Sequence, residues 1–241
     1  MTDILHKISD GAIIYDNTVI SKVRDDLFVP DSWPNVNLMP KEIGGRGQIY
    51  FVSDGNKRFV IRHFVRGGMA AKFSYDAYIW KGAEQTRSFK EWRLIKKLVE
   101  LNLPVPIPAA AYYKKRGLFY RANILTQEIA GVESLAAYVI KGNTFENFWR
   151  KVGEHIARFH NIGLCHADLN AYNIQIDKDA KMWLIDFDQS QILNPGKWRC
   201  DNLNRLKRSL NKILINNIGA KFKSSDWLEL KGGYSQALRS L

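Results

Sequence analysis

Periodic apolar positions divide the chain into a strand-rich first half and a helix-rich second half. Residues 48–64 contain two β-rich runs around the turn sequence SDGNK, which predicts a hairpin. In residues 86–103 the apolar positions recur every three to four residues, which predicts an amphipathic helix. Residues 118–130 contain a further pair of strand-like runs. From about residue 131 the period becomes helical.

Two segments of the second half have a clear helical stripe. One predicted helix ends at Gly163 and has apolar residues at helical spacing, namely Phe145, Phe148, Val152, Ile156 and Phe159. A second, in the sequence DNLNRLKRSLNKILI, has the stripe Leu203, Leu206, Leu210 and Ile213. The pattern predicts two lobes joined near 126–131, a β-rich N-lobe of residues 1–128 and a helical C-lobe of residues 129–241.

Composition adds an expectation about partners. The 241 residues carry a formal net charge of +12, which favours an anionic partner such as nucleic acid, acidic lipid or a phosphorylated substrate. Two cysteines are too few for a disulfide scaffold, so a reducing compartment is expected. The sequence has neither an 18-residue apolar stretch nor a signal pattern at its start, so we expect no bilayer-spanning segment and no export by that route.

The sequences CHADLNAYNIQID and WLIDFDQS contain the polar residues with the clearest chemical pattern. His166, Asp168 and Asn173 fit the pattern H-x-D-x-x-x-x-N, and Asp186 follows on the predicted strand MWLIDFD. Phosphoryl transfer needs a carboxylate that deprotonates the acceptor hydroxyl and hard oxygen ligands for Mg²⁺. Asp168 suits the first role, and Asn173 and Asp186 suit the second. A lone HxD is typical of a capped turn, but the ordered set is typical of kinases, and we expect His166 to support the loop.

A kinase also needs groups that contact the phosphates of ATP. Gly44, Gly45 and Gly47 precede the first hairpin and could let the backbone approach phosphate oxygens, although such glycines are often only turn residues. In the sequence FVIR, Arg62 occupies the position at which kinases carry a strand lysine, and Lys72 is an alternative cation.

Glu91 lies in the middle of the apolar face of the predicted helix, where an unpaired carboxylate would be costly to bury. Arg62 is its expected partner, and a nearby loop residue is the alternative. The pair would orient phosphates as part of the catalytic machinery. Residues 126–129, including Glu128, would form the hinge that meets adenine, an assignment based on position alone.

The sequence also departs from protein kinases. Asp188 stands where the usual DFG motif has glycine, and the 53 residues after it contain no A-P-E sequence. This is too short for an activation segment and the helices that hold a peptide substrate. A small molecule or a lipid headgroup is therefore favoured as the acceptor.

The segments GGRGQIYFV, VIRHFVRGG, TRSFKEWRLI, PVPIPAAAYY, CHADLNAYNI and LIDFDQS together resemble the 3-deoxy-D-manno-octulosonic acid (Kdo) kinases of Gram-negative bacteria. The resemblance implies a protein-kinase-like α+β fold, with a β-rich N-lobe that has one regulatory-type helix and a reduced helical C-lobe, and ATP and Mg²⁺ between the lobes. It also implies phosphorylation of the 4-hydroxyl of Kdo on Kdo-lipid A, in lipopolysaccharide inner-core biosynthesis. The enzyme would be a peripheral protein at the cytoplasmic face of the inner membrane. An arginine at the lysine position, here Arg62, also looks like a feature of this family.

Three other interpretations remain open: an atypical RIO-type protein kinase, which has a similar HADL loop, a lipopolysaccharide heptose kinase, and a basic nucleic-acid binder without activity. The intact acidic set argues against the last, so no nucleic-acid partner is expected, and no obligate protein partner can be inferred. Lysine and arginine are concentrated in residues 57–97 and 197–223. These cations are either solvated faces or contacts for Kdo-lipid A and the membrane surface, with Arg205, Arg208 and Lys212 as examples.

Overall fold

The computed structural model of the protein describes residues 2–38, 49–65 and 76–238. These residues fall into two compact units. Unit 1 lies within Met1–Glu100 and Pro106–Ile129, and unit 2 within Leu101–Val105 and Ala130–Leu241. In the described part of the chain, no helix has the length and apolar character needed to cross a bilayer.

Unit 1 is built on an antiparallel sheet, which has eight strands among the described residues. Its strands follow the chain as β1 (Ile4–Ile8), β2 (Gly11–Tyr15), β3 (Asn35–Leu38), β4 (Ile49–Asp54), β5 (Lys57–His63), β6 (Tyr78–Ile79), β7 (Pro108–Arg116) and β8 (Phe119–Gln127). In space the order is β1-β2-β7-β8-β5-β4-β3, and β6 pairs with β8. The predicted hairpin in residues 48–64 is confirmed as β4 and β5, which pair in register from Asp54 opposite Lys57.

Helix α1 (Arg87–Glu100) packs on β7 of this sheet. Its apolar stripe is fully buried and consists of Phe89, Trp92, Ile95 and Leu98. The Ser88 hydroxyl donates to the Tyr112 carbonyl at 2.8 Å and so joins the first turn of the helix to the strand. The predicted helix is confirmed, although it ends at Glu100, before the turn that leads to the prolines.

The strands differ from the prediction in two regions of unit 1. Residues 118–130 contain one long strand, β8, because side chains in that run keep alternating between the two faces through the polar Arg121. The β1–β2 hairpin at the start of the chain was missed. Its apolar residues Ile13 and Ile14 are buried next to one another, so the run lacks the simple alternation of a half-buried strand.

Unit 2 is mostly helical. Its elements are β9 (Glu133–Ser134), α2 (Leu135–Lys141), α3 (Phe148–Asn161), β10 (Leu164–Cys165), β11 (Ile174–Ile176), β12 (Met182–Leu184), β13 (Gln191–Ile192), α4 (Trp198–Asn216) and α5 (Ser224–Leu238). The short strands form two small sheets, β12-β11-β9 and β10-β13. Both predicted helices are confirmed, as α3 and α4, but α3 begins at Phe148 and leaves Phe145 outside. The assignment of nucleotide covering to residues 1–128 and catalysis to residues 129–241 stays a prediction.

Helices α3 and α5 approach each other closely at two glycines. A Cβ atom on Gly153 would lie 2.0 Å from the Leu230 carbonyl oxygen, and one on Gly233 would lie 2.3 Å from the Arg150 carbonyl oxygen. Neither position can therefore hold a side chain without moving the backbone of the other helix. The absence of side chains lets the two helices make the main contact of unit 2.

Two buried histidines of α3 are held neutral. Burial lowers the pKa of His155 to about 3 and that of His160 to about 4, from an ordinary value of 6.5. The His160 Nδ1 lies 2.8 Å from the Tyr234 hydroxyl of α5, and the His155 ring packs edge-on against Phe159. Protonation of either ring would place a charge in the core of unit 2.

We predict that acid destabilises the protein below about pH 6.5 through these histidines. The unfolded chain binds protons at the ordinary pKa, whereas the folded histidines stay neutral until about 4 and about 3. The free energy of unfolding therefore falls as pH decreases, by up to about 1.4 kcal/mol per pH unit for each histidine. Urea denaturation between about pH 7 and about pH 5.5, above the range in which carboxylates titrate, measures this slope.

The substitution His155→Leu isolates the contribution of one histidine. The variant should lose less stability than the wild type over the same pH range, whatever its stability at neutral pH. An identical pH slope in the two proteins would contradict the assignment of the acid sensitivity to His155.

Candidate active site

The loop between β10 and β11 carries Asp168 and Asn173, and it is stabilised by its own asparagines. The Asn170 Oδ1 accepts hydrogen bonds from the backbone N–H groups of Tyr172 and Asn173, at 2.8 and 3.2 Å. The Asn173 Nδ2 donates to the Asp168 carbonyl at 2.9 Å. These turn contacts are typical of asparagine, whose short side chain bonds nearby backbone groups.

His166 connects this loop to the segment that follows β12. The Nδ1 atom accepts from the Asp168 N–H at 3.2 Å, so Nε2 carries the proton and donates to the Ile185 carbonyl at 3.1 Å. The ring is buried, and burial lowers the pKa of His166. This geometry fits the supporting role expected for the residue, because both nitrogens bond to backbone groups.

Asp168 presents an oriented and accessible carboxylate. Its Oδ1 accepts from the Arg205 Nη1 at 3.1 Å, and its Oδ2 accepts from the Asn170 Nδ2 at 3.1 Å. The side chain is still 56% exposed. A carboxylate fixed in this way and open to solvent is suited to accept a proton from a bound hydroxyl.

The two predicted metal ligands lie at one end of the β11–β12 pair. Asn173 comes directly before β11, Asp186 comes two residues after β12, and the Ile185 N–H donates to the Asn173 carbonyl at 3.0 Å. The prediction that Asp186 lies on the strand is therefore wrong. The residue has a left-handed φ of 63°, which the extended backbone of a strand does not allow.

The donor set at this end fits Mg²⁺. A carboxylate and an amide oxygen are hard ligands, and Mg²⁺ usually takes one or two such protein groups and completes its shell with water and phosphate oxygens. The Asn173 Nδ2 is used within the loop, which leaves its Oδ1 for a metal. Within the described ranges, no group of three or more His, Cys, Asp or Glu residues could hold a metal ion.

Helix α4 holds the loop through three polar residues that the motif did not reveal. Asn202 accepts from the His166 N–H at 3.1 Å and donates to the His166 carbonyl at 3.0 Å. The Ser209 hydroxyl oxygen accepts from the Ala171 N–H at 3.2 Å. Arg205, between these two residues, contacts the Asp168 carboxylate as described above. Arg205 is one of the cations expected from the sequence to form a solvated face or to contact lipid, and in the structure it holds Asp168.

A sequence signal for these contacts does exist. Asn202, Arg205 and Ser209 are spaced by three and four residues, so they form one helical stripe. This stripe runs beside the buried apolar stripe of the same helix, which ends at Ile213. Polar residues that follow the buried edge of a helix are candidates for contacts with a neighbouring loop.

In unit 1 the structure brings Arg62 and Glu91 together. The Arg62 Nη2 contacts both carboxylate oxygens of Glu91, at 2.6 Å for Oε1. Glu91 is only 3% exposed, and the Arg62 guanidinium also lies over the Phe64 ring, 4.6 Å from its centroid. The expected ion pair is confirmed, and its role in orienting phosphates stays a prediction.

Of the remaining predicted nucleotide contacts, the structure describes Glu128 but not the glycines. Glu128 pairs with Arg58, both through its side chain at 2.8 Å and through its backbone N–H, which donates to the Arg58 carbonyl. The role of this residue in meeting adenine stays a prediction. The glycines predicted to cover phosphates, Gly44, Gly45 and Gly47, lie outside the described residues, as does the alternative cation Lys72.

Comparison with known proteins decides the family. The sequence pattern of the Lipopolysaccharide kinase (Kdo/WaaP) family matches residues 32–234. The chain belongs to this family. Two relatives carry the name 3-deoxy-D-manno-octulosonic acid kinase. The one from Stenotrophomonas maltophilia (strain R551-3) is 44% identical over 228 residues, which cover 94% of this chain and 90% of the relative. The one from Xylella fastidiosa (strain M12) is 46% identical over 205 residues, which cover 85% and 82%.

A solved structure supports the fold of this Kdo/WaaP family member. The structure described as WaaP in complex with acyl carrier protein matches with a TM-score of 0.59 over 88% of this chain and 83% of that chain, at 14% identity. At this identity the match concerns the fold alone, and it confirms the kinase-like α+β architecture. As a member of a kinase family, the chain is an ATP-dependent phosphotransferase. The lipopolysaccharide kinase interpretation therefore replaces the RIO-type one.

We predict that Arg205 positions the Asp168 carboxylate for the reaction. Arg205→Met removes the contact with Oδ1 and should lower kcat about a hundredfold, because small displacements of a reacting group have effects of that size. The KM for ATP should change little. Arg205→Lys, which keeps a cation, should recover part of the loss. Steady-state kinetics on an acceptor dissolved in detergent measures both parameters.

Arg208→Met is the matched control for this experiment. Arg208 lies on the same helix, is exposed and has no contact with the loop among those the structure shows, so its loss should leave kcat unchanged. Equal losses of kcat in the Arg205 and Arg208 variants would mean that positive charge on the helix matters in general, and would overturn the specific contact.

Proposed function

We propose that this protein transfers the γ-phosphoryl group of ATP to the 4-hydroxyl of Kdo on Kdo-lipid A. The observation that carries the proposal is the 44% identity, over 94% of the chain, to a relative named 3-deoxy-D-manno-octulosonic acid kinase. The catalytic loop of unit 2 supports it, since its carboxylate is exposed and held from two sides. The choice of the 4-hydroxyl comes from the sequence resemblance.

In the proposed reaction Asp168 accepts the proton of the acceptor hydroxyl. The acceptor oxygen forms a bond to the γ-phosphorus while the bond from that phosphorus to the bridging β-phosphate oxygen breaks, which gives the phosphorylated sugar and ADP. Arg205 and Asn170 keep the Asp168 carboxylate in place during the proton transfer. His166 remains neutral and preserves the backbone geometry of the loop.

Arg62 supplies positive charge to the phosphates in this proposal. A planar guanidinium with five donors can contact two phosphate oxygens and Glu91 together, which a lysine ammonium does less well. The buried Glu91 carboxylate restricts the arginine to a small range of positions. This restriction matters because catalysis of phosphoryl transfer consists mainly of positioning and charge stabilisation.

Asn173 and Asp186 would hold Mg²⁺, which neutralises phosphate charge when bound. The backbone of the protein orients the Asn173 and Asp186 side chains before any metal binds. Asn173 is oriented by its bond to the Asp168 carbonyl, and Asp186 is placed by a left-handed turn directly after the residue that bonds His166. The proton acceptor and the metal ligands are thus connected through one set of backbone hydrogen bonds.

The proposed acceptor also accounts for the charge of the protein. Kdo-lipid A is an anionic glycolipid in a membrane, and a chain with a net charge of +12 is attracted to such a surface. We place the enzyme as a peripheral protein at the cytoplasmic face of the inner membrane, where ATP is available. The WaaP structure named above contains acyl carrier protein, whereas the sequence of this chain allows no obligate protein partner to be inferred.

The central experiment compares wild type with Asp168→Asn on purified Kdo-lipid A. The wild type should convert ATP to ADP only with the glycolipid present, and mass spectrometric fragmentation should place one phosphate on position 4 of Kdo. Asp168→Asn keeps the size of the side chain but not its basicity, so the rate should fall about a hundredfold to ten-thousandfold. Asp179→Asn, an exposed aspartate in the β11–β12 turn, should leave the rate unchanged.

Other outcomes of this experiment identify other acceptors. Phosphate on a heptose-bearing glycolipid but not on Kdo would contradict the proposed acceptor while keeping the kinase. Transfer to the protein itself, or to added protein, would contradict both lipopolysaccharide acceptors.

We predict that loss of Asn173 weakens the use of Mg²⁺. Asn173→Ala should raise the Mg²⁺ concentration that gives half-maximal activity by at least about tenfold, because an oxygen ligand is lost. Asn170→Ala is the control, since it disturbs the same loop without removing a proposed ligand. Equal Mg²⁺ requirements in the two variants would contradict the role of Asn173, and calorimetry of ATP binding with and without Mg²⁺ gives a second measurement.

A further inference from the structure

The turn between β7 and β8 exposes large apolar side chains. Leu118 is 78% exposed and Phe119 is 48% exposed, and Ile79 of β6 is 61% exposed. Ile79 and Phe119 are directly paired across the two strands, and the Trp80 N–H donates to the Leu118 carbonyl at 2.9 Å. Directly paired residues project on the same side of a sheet. We refer to Ile79, Leu118 and Phe119 as the hairpin tip.

Basic residues surround the hairpin tip. The exposed ones nearest to it along β6, β7 and β8 are Lys81, Lys114, Lys115, Arg116 and Arg121. The Lys115 Nζ lies over the Trp80 ring, 5.6 Å from its centroid. Acidic groups are present as well, since Asp76 pairs with Arg121 and Asp10 lines the groove beside Trp80 and Lys115. The cations are still in excess around the tip.

We propose that the hairpin tip is a membrane-docking element that inserts Leu118 and Phe119 into the surface of a bilayer containing anionic lipids. Exposed aliphatic and aromatic side chains gain free energy by leaving water, and the flanking cations gain it by approaching lipid phosphates. The long stems of lysine and arginine let their charges stay at headgroup level while the tip is deeper. The proposal rests on the proposed function in one respect, because a lipid-linked acceptor gives the enzyme a reason to dock.

The positive charge and the apolar side chains of this surface together favour a membrane over the other possible partners. A second copy of the chain would bring the same cations against themselves, which is repulsive. Nucleic acid would be attracted by the cations but offers no favourable environment for the aliphatic Leu118 and Ile79. A bilayer with anionic headgroups satisfies the apolar and the charged parts together.

Membrane docking by the hairpin tip should need both the insertion of apolar side chains and the attraction of the flanking cations to lipid phosphates. Leu118→Ser with Phe119→Ser removes the inserted side chains and should weaken vesicle binding at least about tenfold. Replacing Lys114, Lys115 and Arg116 by glutamine should weaken it by about fivefold per cation. Since these side chains are exposed, neither variant should alter the thermal unfolding midpoint or the phosphorylation of an acceptor dissolved in detergent.

The experiment is co-sedimentation of the full chain with vesicles, without ATP or glycolipid. One set of vesicles contains phosphatidylcholine alone and the other phosphatidylcholine mixed with phosphatidylglycerol. Leu228→Ser is the matched control, because Leu228 is 63% exposed but lies on α5 near Asp226 and Glu229. We expect binding of the wild type and of the control to the mixed vesicles, and much weaker binding of both hairpin variants.

Each remaining outcome is decisive. Failure of the wild type to bind the mixed vesicles, or wild-type binding by the Leu118/Phe119 variant, would overturn the proposal. Binding that depends on the three cations but not on the apolar pair would also overturn it, because it would show electrostatic adsorption to anionic lipid without insertion of the hairpin tip. Vesicle binding as expected, with no glycolipid phosphorylation by the wild type, would retain the docking element and reject the proposed function.

Discussion

The two hydrogen bonds between Asn202 and the backbone of His166 determine where the catalytic loop begins, because they satisfy a buried donor and a buried acceptor together. An asparagine is the residue for this task, since its amide offers one acceptor and two donors on a short side chain. A buried backbone group that loses its partner costs about 1–3 kcal/mol. The position of the loop thus depends on how α4 is packed, and α4 is packed by its leucines.

The His166 ring then fixes two backbone segments through hydrogen bonds from its two nitrogens. One ring nitrogen holds the backbone of Asp168 and the other holds the backbone of Ile185, directly before the proposed metal ligand Asp186. This connection works only with a neutral ring of one tautomer, and burial keeps the ring in that form. The proton acceptor and the metal ligands therefore share a single support, although β11 and β12 separate Asp186 from the loop that carries Asp168.

Much of this arrangement could be predicted from the sequence, because some constraints are local. The ion pair of Glu91 could be predicted, since a carboxylate in the middle of an apolar helix face needs a cation. The loop motif identified Asp168. The polar stripe of α4 marks Arg205 as a candidate to contact a loop, but its partner Asp168 could not be predicted, because that contact depends on how α4 lies against a loop more than thirty residues earlier. The turn at Asp186 was also missed, since only its backbone angle distinguishes it from the end of a strand.

The contact between α3 and α5 at Gly153 and Gly233 has a consequence for how the protein is made. The helix that leads into the catalytic loop is complete long before α5 leaves the ribosome, so the apolar face it buries against α5 remains exposed during that interval. Contacts between distant segments also slow folding, because a long loop must close before they form. All of unit 1 precedes α3 in the chain and can fold earlier. Unit 2 cannot complete its core until α5 is synthesised, so it is the part of the nascent chain that chaperones would protect.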